Sequence, residues 1–293
     1  MHDSKDFSEL FSAQEYALFC DFLSKACGIV LGTSKTYLVG SRLGKLMKSE
    51  EIQTLGELMD RLKSGSEVKL REKVIDAMTT NETNWFRDNH PYEVLRHTVL
   101  PEMRQKNNNQ PLRVWSAACS SGQEPYTISM CFSEYLLANG GAFPSGLQIF
   151  ATDISSSMIA QAQAAEYDII AMARGLSAER QQMFFEEQPN KKMCVSARIK
   201  ERVVFRQLNL LDSFVLLGKF HVIFCRNVLI YFSDTVKVDI ISRLAAQIHP
   251  GGYLFLGASE SIASDHEYFE MIKCDPGIVY KRRSCVDPSI VKS

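Results

Sequence analysis

The sequence predicts an α/β fold in which a small all-helical N-terminal domain precedes a doubly wound, mostly parallel sheet with an antiparallel edge hairpin. Three observations predict it. Residues 1–78 show only the apolar spacing of helices. From residue 91, helical stretches alternate with short runs of strand-forming residues, as in parallel sheets. The last two strand-like runs are joined by Asp275-Pro276-Gly277, a turn signal that favours a hairpin.

The helical elements follow from local patterns. Apolar residues from Leu18 to Ala26 recur at helical spacing and predict a helix over 15–29. The sequence Thr54-Leu-Gly-Glu57 fits a capping box that opens a helix running to Leu62. Two more helices are predicted over 35–47 and 68–78.

The sheet elements follow in order along the rest of the chain. Strands are predicted over 112–117, 147–152, 203–208, 221–225, 253–257, 269–274 and 277–281. Helices are predicted over 124–139, 155–165, 177–185 and 235–249. We therefore expect a helical domain at 1–78, a connecting segment at 79–90, a sheet domain at 91–285 and a tail at 286–293.

Composition excludes several classes of protein. Of 293 residues, 45% are hydrophobic, which excludes a mainly disordered chain. With 33 basic and 34 acidic residues the net charge is −1, so we expect no nucleic-acid partner. No apolar run reaches the roughly 18–20 residues of a membrane span, and residues 1–10 lack a signal-peptide core, so we expect no membrane insertion.

Cysteine and histidine spacing points to a cytoplasmic protein without a metal. The eight cysteines form no CxxC pair, which favours reduced thiols in a cytoplasm. The six histidines show no HxxxH or HExxH spacing, so no metal site is expected. No GxSxG motif is present, which disfavours a serine hydrolase.

Ligands of such sheets bind at the carboxyl ends of the strands. The loop after the first strand, 116–125, contains only Gly122 and no GxGxxG, which weakens a dinucleotide interpretation. Asp153 follows the second strand and suits the two hydroxyls of a ribose. Asp153 could instead only cap the helix that begins near Ser155.

Polar residues also follow the next two strands. Asn209 carries a donor and an acceptor suited to an adenine edge, or is simply a turn residue. Arg226 and Asn227 form a polar pair inside an apolar stretch, and such local inconsistencies often mark function. The alternative is a helix start with Asn227 as its cap.

Six segments together resemble the chemotaxis receptor methyltransferases, the CheR family, from about residue 15 to 282. They are TTNETNWFR (79–87), WSAACSSGQEPY (115–126), ATD (151–153), NLL (209–211), FCRNVLIYF (224–232) and HPGGYLFLG (249–257). The resemblance implies a class I methyltransferase sheet behind a helical N-terminal domain, and S-adenosylmethionine as cofactor. It also implies methylation of glutamate side chains of methyl-accepting chemoreceptors, giving glutamate methyl esters and S-adenosylhomocysteine for adaptation in chemotaxis.

The resemblance also assigns residues. Arg87 and Tyr231 match the side chains nearest the reacting methyl. Positions matching the cofactor site are Asn81, Thr83, Arg87, Glu124, Asp153, Asn209, Leu210, Asn227 and Val228. One departure is Gln123, where many relatives carry a second glutamate.

The implied reaction makes sense for these residues. A glutamate nucleophile has an unperturbed pKa of about 4.3 and is ionised at pH 7, so no general base is required. Arg87 could orient that carboxylate, or form a surface ion pair with Asp88 or Glu82. Tyr231 could pack beside the sulfonium, or be a core aromatic. Cys119 is disfavoured as a nucleophile because no basic partner is near in sequence.

Receptor docking is expected on the helical domain. Residues 22–49 carry five Lys or Arg and no Asp or Glu, and we expect Lys35, Arg42, Lys45 and Lys48 to dock the acidic methylated helices of a cytoplasmic receptor region. A solvated helix face is the alternative.

Some members of this family bind a peptide at the C-terminal tail of the receptor by adding it as a strand to an inserted β-subdomain. Here that subdomain is expected at about 190–204, and its preceding turn, 187–190, lacks glycine and hence a positive-φ position. Relatives that bind the tail tend to carry a longer, glycine-bearing loop there, so the resemblance implies no dependence on a C-terminal receptor pentapeptide. The alternative is a hairpin that only covers the sheet. We also expect a monomer.

Two other functions stay open. One is a class I methyltransferase acting on another substrate, such as RNA or a small molecule. The other is a non-catalytic S-adenosylmethionine-binding signalling module.

Overall fold

The computed structural model describes residues 11–32, 34–106, 110–140, 143, 145–263 and 266–284. The predictions for residues 1–10, for Cys285 and for the tail lie outside these residues. The helical domain contains α1 (Ala13–Cys27), α2 (Thr36–Ser49), α3 (Leu55–Lys63) and α4 (Val68–Met78). Helix α1 begins with a capping box between Ser12 and Glu15 and ends at Gly28, which has φ 77°. Thr54 caps α3 by accepting from the Glu57 N–H, which confirms one half of the predicted capping box, whereas the Glu57 carboxylate accepts the Gln53 N–H instead of the Thr54 N–H.

Two helical stretches separate this domain from the first strand. They are α5 (His90–Val94), which continues through a π-helical turn (Leu95–Val99), and α6 (Leu100–Lys106). The sequence did not predict them, because Pro91 and Pro101 interrupt the pattern. Pro91 lies in the first turn of α5, where a missing N–H leaves no bond unmade.

The rest of the chain folds around one mixed sheet with strand order β6-β2-β1-β7-β8-β10-β9. Strands β6, β2, β1, β7 and β8 are parallel, and β10 pairs antiparallel with both β8 and β9. The strands are β1 (Leu112–Ala117), β2 (Leu147–Asp153), β6 (Val203–Gln207), β7 (Phe220–Cys225), β8 (Ile248–Leu256), β9 (Phe269–Lys273) and β10 (Ile278–Arg282). This confirms the predicted fold class, and the strand order reverses between β1 and β7.

Helices cover both faces of the sheet, because its central strands are apolar on both sides. Val114 of β1 joins the core cluster on one face, and Trp115 joins the cluster on the other. The main covering helices are α7 (Gln123–Asn139), α8 (Ser156–Ala164) and α12 (Asp234–Gln247). In the described part of the chain, no helix is both long and apolar enough to cross a membrane.

The inserted β-subdomain begins earlier than predicted. Its antiparallel sheet has the order β3-β5-β4, from β3 (Glu166–Tyr167), β4 (Phe185–Glu187) and β5 (Met193–Val195). Between them lie α9 (Ile169–Met172) and α10 (Ala178–Phe184), and α11 (Ala197–Lys200) follows. Of the predicted 190–204, only β5 therefore belongs to this sheet. Strands of two or three residues are too short to show alternation, which is why their partners were missed.

The turn between β4 and β5 also differs from the prediction. Lys191 adopts φ 62°, so the turn does contain a positive-φ residue although it contains no glycine. The Gln188 N–H donates to the Lys192 carbonyl at 2.8 Å and closes the turn.

The helical domain is seated on the carboxyl edge of the sheet. A Cβ on Gly28 would lie 2.4 Å from the Phe232 ring, so only glycine permits this approach. The Val30 N–H donates to the Tyr231 carbonyl at 3.0 Å. These contacts place the end of α1 directly over the loop that follows β7.

Candidate functional site

One cavity of about 340 Å³ lies at the carboxyl edge of the sheet, beside the point where strand order reverses. Its walls come from the helical domain, the segment after α4, and the loops after β1, β2, β6 and β7. Every residue predicted to bind the cofactor or act at the methyl lines it: Asn81, Thr83, Arg87, Glu124, Asp153, Asn209, Leu210, Asn227, Val228 and Tyr231. The structure thus brings together residues that are up to 150 positions apart in the sequence.

The loop after β1 is folded tightly against its neighbours. Ala118 and Ser120 have φ of 61° and 50°, so both non-glycine residues are in the left-handed region. The Ser120 hydroxyl donates to the Asn81 carbonyl at 2.8 Å, which ties this loop to the segment after α4. Gly122 has φ 93°, and a Cβ there would lie 2.9 Å from the Ala162 Cβ. The small residues seen in the sequence therefore allow close packing at this strand end.

Asp153 is a buried carboxylate that faces the cavity. One of its oxygens accepts the Ser120 N–H at 2.8 Å and the other accepts the Ser155 N–H at 2.9 Å. Burial raises the pKa of Asp153, and these two N–H donors oppose that rise. Helix α8 is capped by Ser155, whose hydroxyl accepts the Met158 N–H at 3.1 Å, so Asp153 is not its cap. Each Asp153 oxygen keeps one lone pair for another donor.

Glu124 stands at the start of α7, with a side chain that is 12% exposed. One oxygen accepts from the Ser116 hydroxyl at 2.8 Å, and the other accepts from Arg226 at 3.1 Å. Burial raises the pKa of the Glu124 carboxyl, and the Arg226 charge opposes the rise.

Arg87 points along the segment after α4 and does not form the surface ion pair that was considered as its alternative role. Its guanidinium donates to the Glu82 carbonyl at 2.8 Å. The two carboxylates considered as partners are bound elsewhere. Asp88 pairs with Arg226 at 2.7 Å, and Glu82 pairs with Arg174 at 3.0 Å.

The loop after β7 is held by a residue that was not predicted. Glu260 accepts four backbone N–H groups, from Asn227 and Gly257 on one oxygen and from Val228 and Leu229 on the other, at 2.7–2.9 Å. Asn227 has φ 57° and lies before a short 3₁₀ helix, Leu229–Tyr231, that no side chain of the preceding residues caps. Glu260 therefore does the capping that was considered for Asn227.

Asn209 uses its amide mainly to shape its own loop. Its Nδ2 donates to the Ala26 carbonyl at 2.8 Å, across the contact with the helical domain, and its Oδ1 accepts the Leu211 N–H at 3.0 Å. This favours the turn interpretation, although the residue lines the cavity. Cys119 is buried, and burial raises its thiol pKa well above the usual value, which disfavours it as a nucleophile.

The four predicted docking cations divide into two kinds. Lys45 and Lys48 are exposed on α2. Lys35 is exposed and lines the cavity mouth. Arg42 instead turns inward, and donates to the carbonyls of Met78 and Thr79 at 2.6 and 3.1 Å. Arg42 thus fixes the end of α4 and the start of the connecting segment.

Arg226 and Glu260 make more of the hydrogen bonds that hold the site together than the sequence predicted. Arg226 was noticed only as part of a polar pair, because its partners at 87, 88 and 124 are distant in sequence. Glu260 lies four residues after the end of β8, so its place after a strand end was the signal for it in the sequence.

Comparisons with known proteins cover both parts of the chain. The family model for the CheR methyltransferase SAM-binding domain matches residues 81–278, and that for the CheR methyltransferase all-alpha domain matches residues 14–79. The chain is 54% identical to chemotaxis protein methyltransferase 1 of Pseudomonas aeruginosa, over 92% of this chain and 98% of that protein. It is 52% identical to chemotaxis protein methyltransferase Cher2 of Pseudomonas putida, over the same shares. It is 50% identical to chemotaxis protein methyltransferase 1 of Vibrio cholerae, over 92% and 97%.

Proposed function

Because the chain belongs to the CheR methyltransferase family, we propose that it methylates glutamate side chains of methyl-accepting chemoreceptors. The products are glutamate methyl esters and S-adenosylhomocysteine. Membership of this family itself makes the chain a chemotaxis methyltransferase that uses S-adenosylmethionine. The observation that supports the finer proposal most is that Arg87 and Tyr231 share one cavity with the half-satisfied carboxylate of Asp153.

The residues of the cavity fit S-adenosylmethionine. A volume of about 340 Å³ is within the usual range for small-molecule sites. The free lone pairs of Asp153 suit two ribose hydroxyls. Leu210 and Val228 offer apolar surface for an adenine ring, and Glu124 offers a carboxylate for an ammonium group.

The proposed mechanism requires little acid–base chemistry from the protein. S-adenosylmethionine supplies an electrophilic methyl on a sulfonium. A receptor glutamate carboxylate would accept that methyl, with the C–O bond forming as the S–C bond breaks and the electron pair staying on the sulfur of S-adenosylhomocysteine. No proton moves, because the acceptor is already ionised at pH 7. Arg87 orients the acceptor carboxylate, and the cavity walls exclude water from it.

The direct test is transfer of radiolabelled methyl to receptor-bearing membranes, with release of label in base. We expect base-labile label on receptors. Label on RNA or a small molecule instead would favour another methyltransferase. Cofactor binding without transfer would favour the non-catalytic module.

Variants at the methyl end of the cavity test the residue roles. Arg87→Ala and Tyr231→Phe should lower kcat at saturating substrates while the protein remains folded, because each acts where the methyl is transferred. Arg87→Ala should also weaken cofactor binding, because Arg87 lines the cofactor cavity, so calorimetry with S-adenosylhomocysteine accompanies it. Wild-type turnover in either variant would remove that residue from the catalytic pair.

We propose that the exposed cations of α2 dock the receptor. Lys45→Ala with Lys48→Ala should raise KM for receptor and flatten its salt dependence, without changing cofactor affinity. Arg42→Ala is a contrasting variant, because Arg42 holds the connecting segment and should also weaken cofactor binding. A double variant that methylates receptor normally from low to high salt would favour the solvated-face alternative.

We propose that a receptor tail peptide is not required. A strand added at the β4 edge of the subdomain sheet would lie beside Glu186 and Glu187, which are exposed and would repel the terminal carboxylate of a peptide. Titration with C-terminal receptor pentapeptides should show no micromolar binding. A large loss of methylation when the receptor tail is removed would contradict the proposal.

We place the reaction in the cytoplasm. The cysteines of the described residues are all free thiols, which suits a reducing compartment, and the relatives are chemotaxis proteins.

A further inference from the structure

We infer that Arg226 is a positioning residue for methyl transfer, which holds the Arg87 backbone and the Glu124 carboxylate in place at the cavity wall. The inference rests on the proposed function, since it concerns the same reaction. Arg226 follows β7 directly, and its side chain is 2% exposed. Its guanidinium lies between the segment that carries Arg87 and the start of α7.

The two ends of the guanidinium hold different parts of the site. Nη2 donates to the Arg87 carbonyl at 3.0 Å and to the Asp88 carboxylate at 2.7 Å. Nη1 donates to Glu124 at 3.1 Å and to the Tyr92 hydroxyl at 3.3 Å. One planar group thus fixes the backbone at Arg87 relative to a carboxylate of the cofactor wall.

The segment around Arg87 needs such a tether. Phe86, Asp88 and Asn89 have φ of 48°, 64° and 48°, a left-handed conformation that non-glycine residues rarely adopt. Such a conformation persists only where surrounding contacts over-determine it. The Asn89 N–H donates to the Phe86 carbonyl at 2.8 Å and closes the turn, but this bond within the turn does not fix the orientation of the turn relative to the cavity. The N–H of the buried Phe86 donates to the Thr127 hydroxyl at 3.4 Å and anchors the start of the turn, and Arg226 bonds the residue in its middle, so the two contacts together fix its orientation.

A lysine cannot replace this arginine. Its ammonium is one compact donor group, whereas the guanidinium reaches two sites on opposite sides with a rigid fork. Arg226→Lys keeps the charge between Asp88 and Glu124 but cannot hold both at once. Loss of the tether lets Arg87 move, and displacement by about 1 Å at a reacting centre can lower turnover about 100-fold.

Variants separate the two ends of the guanidinium. Asp88→Asn weakens only the end that holds Arg87, and Glu124→Gln weakens only the end at the cofactor wall. We expect Asp88→Asn to lower kcat about tenfold with the Kd for S-adenosylhomocysteine within threefold of wild type. We expect Glu124→Gln to raise that Kd, and Arg226→Lys to lower kcat by about 30-fold or more.

A matched control is available in the helical domain. Arg61 forms a similar forked pair with Glu67, at 2.6–2.7 Å, and neither residue lines the cavity. Arg61→Lys should leave kcat at the wild-type value. Denaturant unfolding of every variant reports whether it is folded under the assay conditions.

The placement of Arg87 is measured separately, in crystal structures of wild type and Asp88→Asn with S-adenosylhomocysteine. A displaced Arg87 guanidinium in the variant supports the inference, and one in the wild-type position overturns it whatever the turnover. Wild-type kcat in both Asp88→Asn and Arg226→Lys also overturns it. If wild-type protein fails to methylate receptors, the proposed function is wrong, and the two crystal structures still decide the role of Arg226.

Discussion

Asp153 and Glu260 are both carboxylates at the carboxyl edge of the sheet, and both accept backbone N–H groups from loops of the site. Glu260 accepts four such groups, which fills the acceptor capacity of a carboxylate. Asp153 accepts two and keeps two positions that face the cavity. Both are carboxylates, so charge does not separate the two residues by role, whereas the remaining acceptor capacity does. A saturated carboxylate shapes a loop, and a half-satisfied one can bind a ligand.

The largest expected effect is on the saturated carboxylate. Glu260→Ala leaves four N–H groups without their acceptor, so the free energy of unfolding should fall by on the order of 3 kcal/mol, and kcat should fall because the loop carries Tyr231. Denaturant unfolding and a receptor assay measure both. Glu260→Gln keeps one acceptor oxygen, so its free energy of unfolding should lie between those of wild type and Glu260→Ala. Wild-type stability of Glu260→Ala would show that the loop does not depend on this carboxylate.

Asp153 should respond chiefly in ligand affinity. Asp153→Ala should weaken binding of S-adenosylhomocysteine by about 10–150-fold, which corresponds to about 1.5–3 kcal/mol, because hydrogen bonds to a charged acceptor are lost. Its free energy of unfolding should fall less than that of Glu260→Ala, since only two N–H groups lose their acceptor. Calorimetry and denaturant unfolding check the two parts. Unchanged affinity would remove the ribose assignment, and with it the distinction between the two carboxylates.

The smallest effect concerns His221, a neutral hydrogen-bond acceptor at the amino end of β7. The Nδ1 of His221 accepts the Arg113 backbone N–H at 3.0 Å. Burial, with His249 beside it, lowers the pKa of His221 from 6.5 to about 4. A lowered pKa in the folded state means that the stabilisation is present above pH 6.5 and is lost as pH falls through about 4. The loss should be on the order of 1 kcal/mol, because the ring is partly exposed.

His221→Asn tests this acid dependence, because an amide oxygen can accept the same N–H without titrating. The free energy of unfolding of the variant should depend less steeply on pH between 6.5 and 4 than that of wild type. Parallel curves for the two proteins would contradict the prediction.

The sequence predicted the sheet and part of the cavity lining from short-range patterns, and the rest of the lining from its resemblance to the CheR family. Strands β1 and β7 are apolar on both faces, and polar residues follow the strand ends, so Asp153 and Asn227 could be found without a structure. The connections made by Arg226 could not, because they join residues up to 139 positions apart. Arg42 was placed on an open face for the same reason, since nothing local shows that it reaches Met78.

Short elements were the other source of error. The β-subdomain draws on strands of two or three residues, and no alternation can be recognised over such lengths. The positive φ of Lys191 was missed because the prediction relied on glycine alone, whereas the turn bond from Gln188 holds a lysine in that conformation.

The close approach of Gly28 to Phe232 makes the helical domain a wall of the cavity. A ligand in the cavity therefore binds the assembled arrangement of the two domains more tightly than any arrangement in which they separate. By linkage, ligand at 100 times its Kd adds about 2.7 kcal/mol to the cohesion of the two domains. The same linkage applies to any partner that binds the helical domain and favours the assembled arrangement of the two domains. Such a partner raises the affinity of the protein for the cofactor by a certain factor, and bound cofactor raises the affinity of the protein for that partner by the same factor.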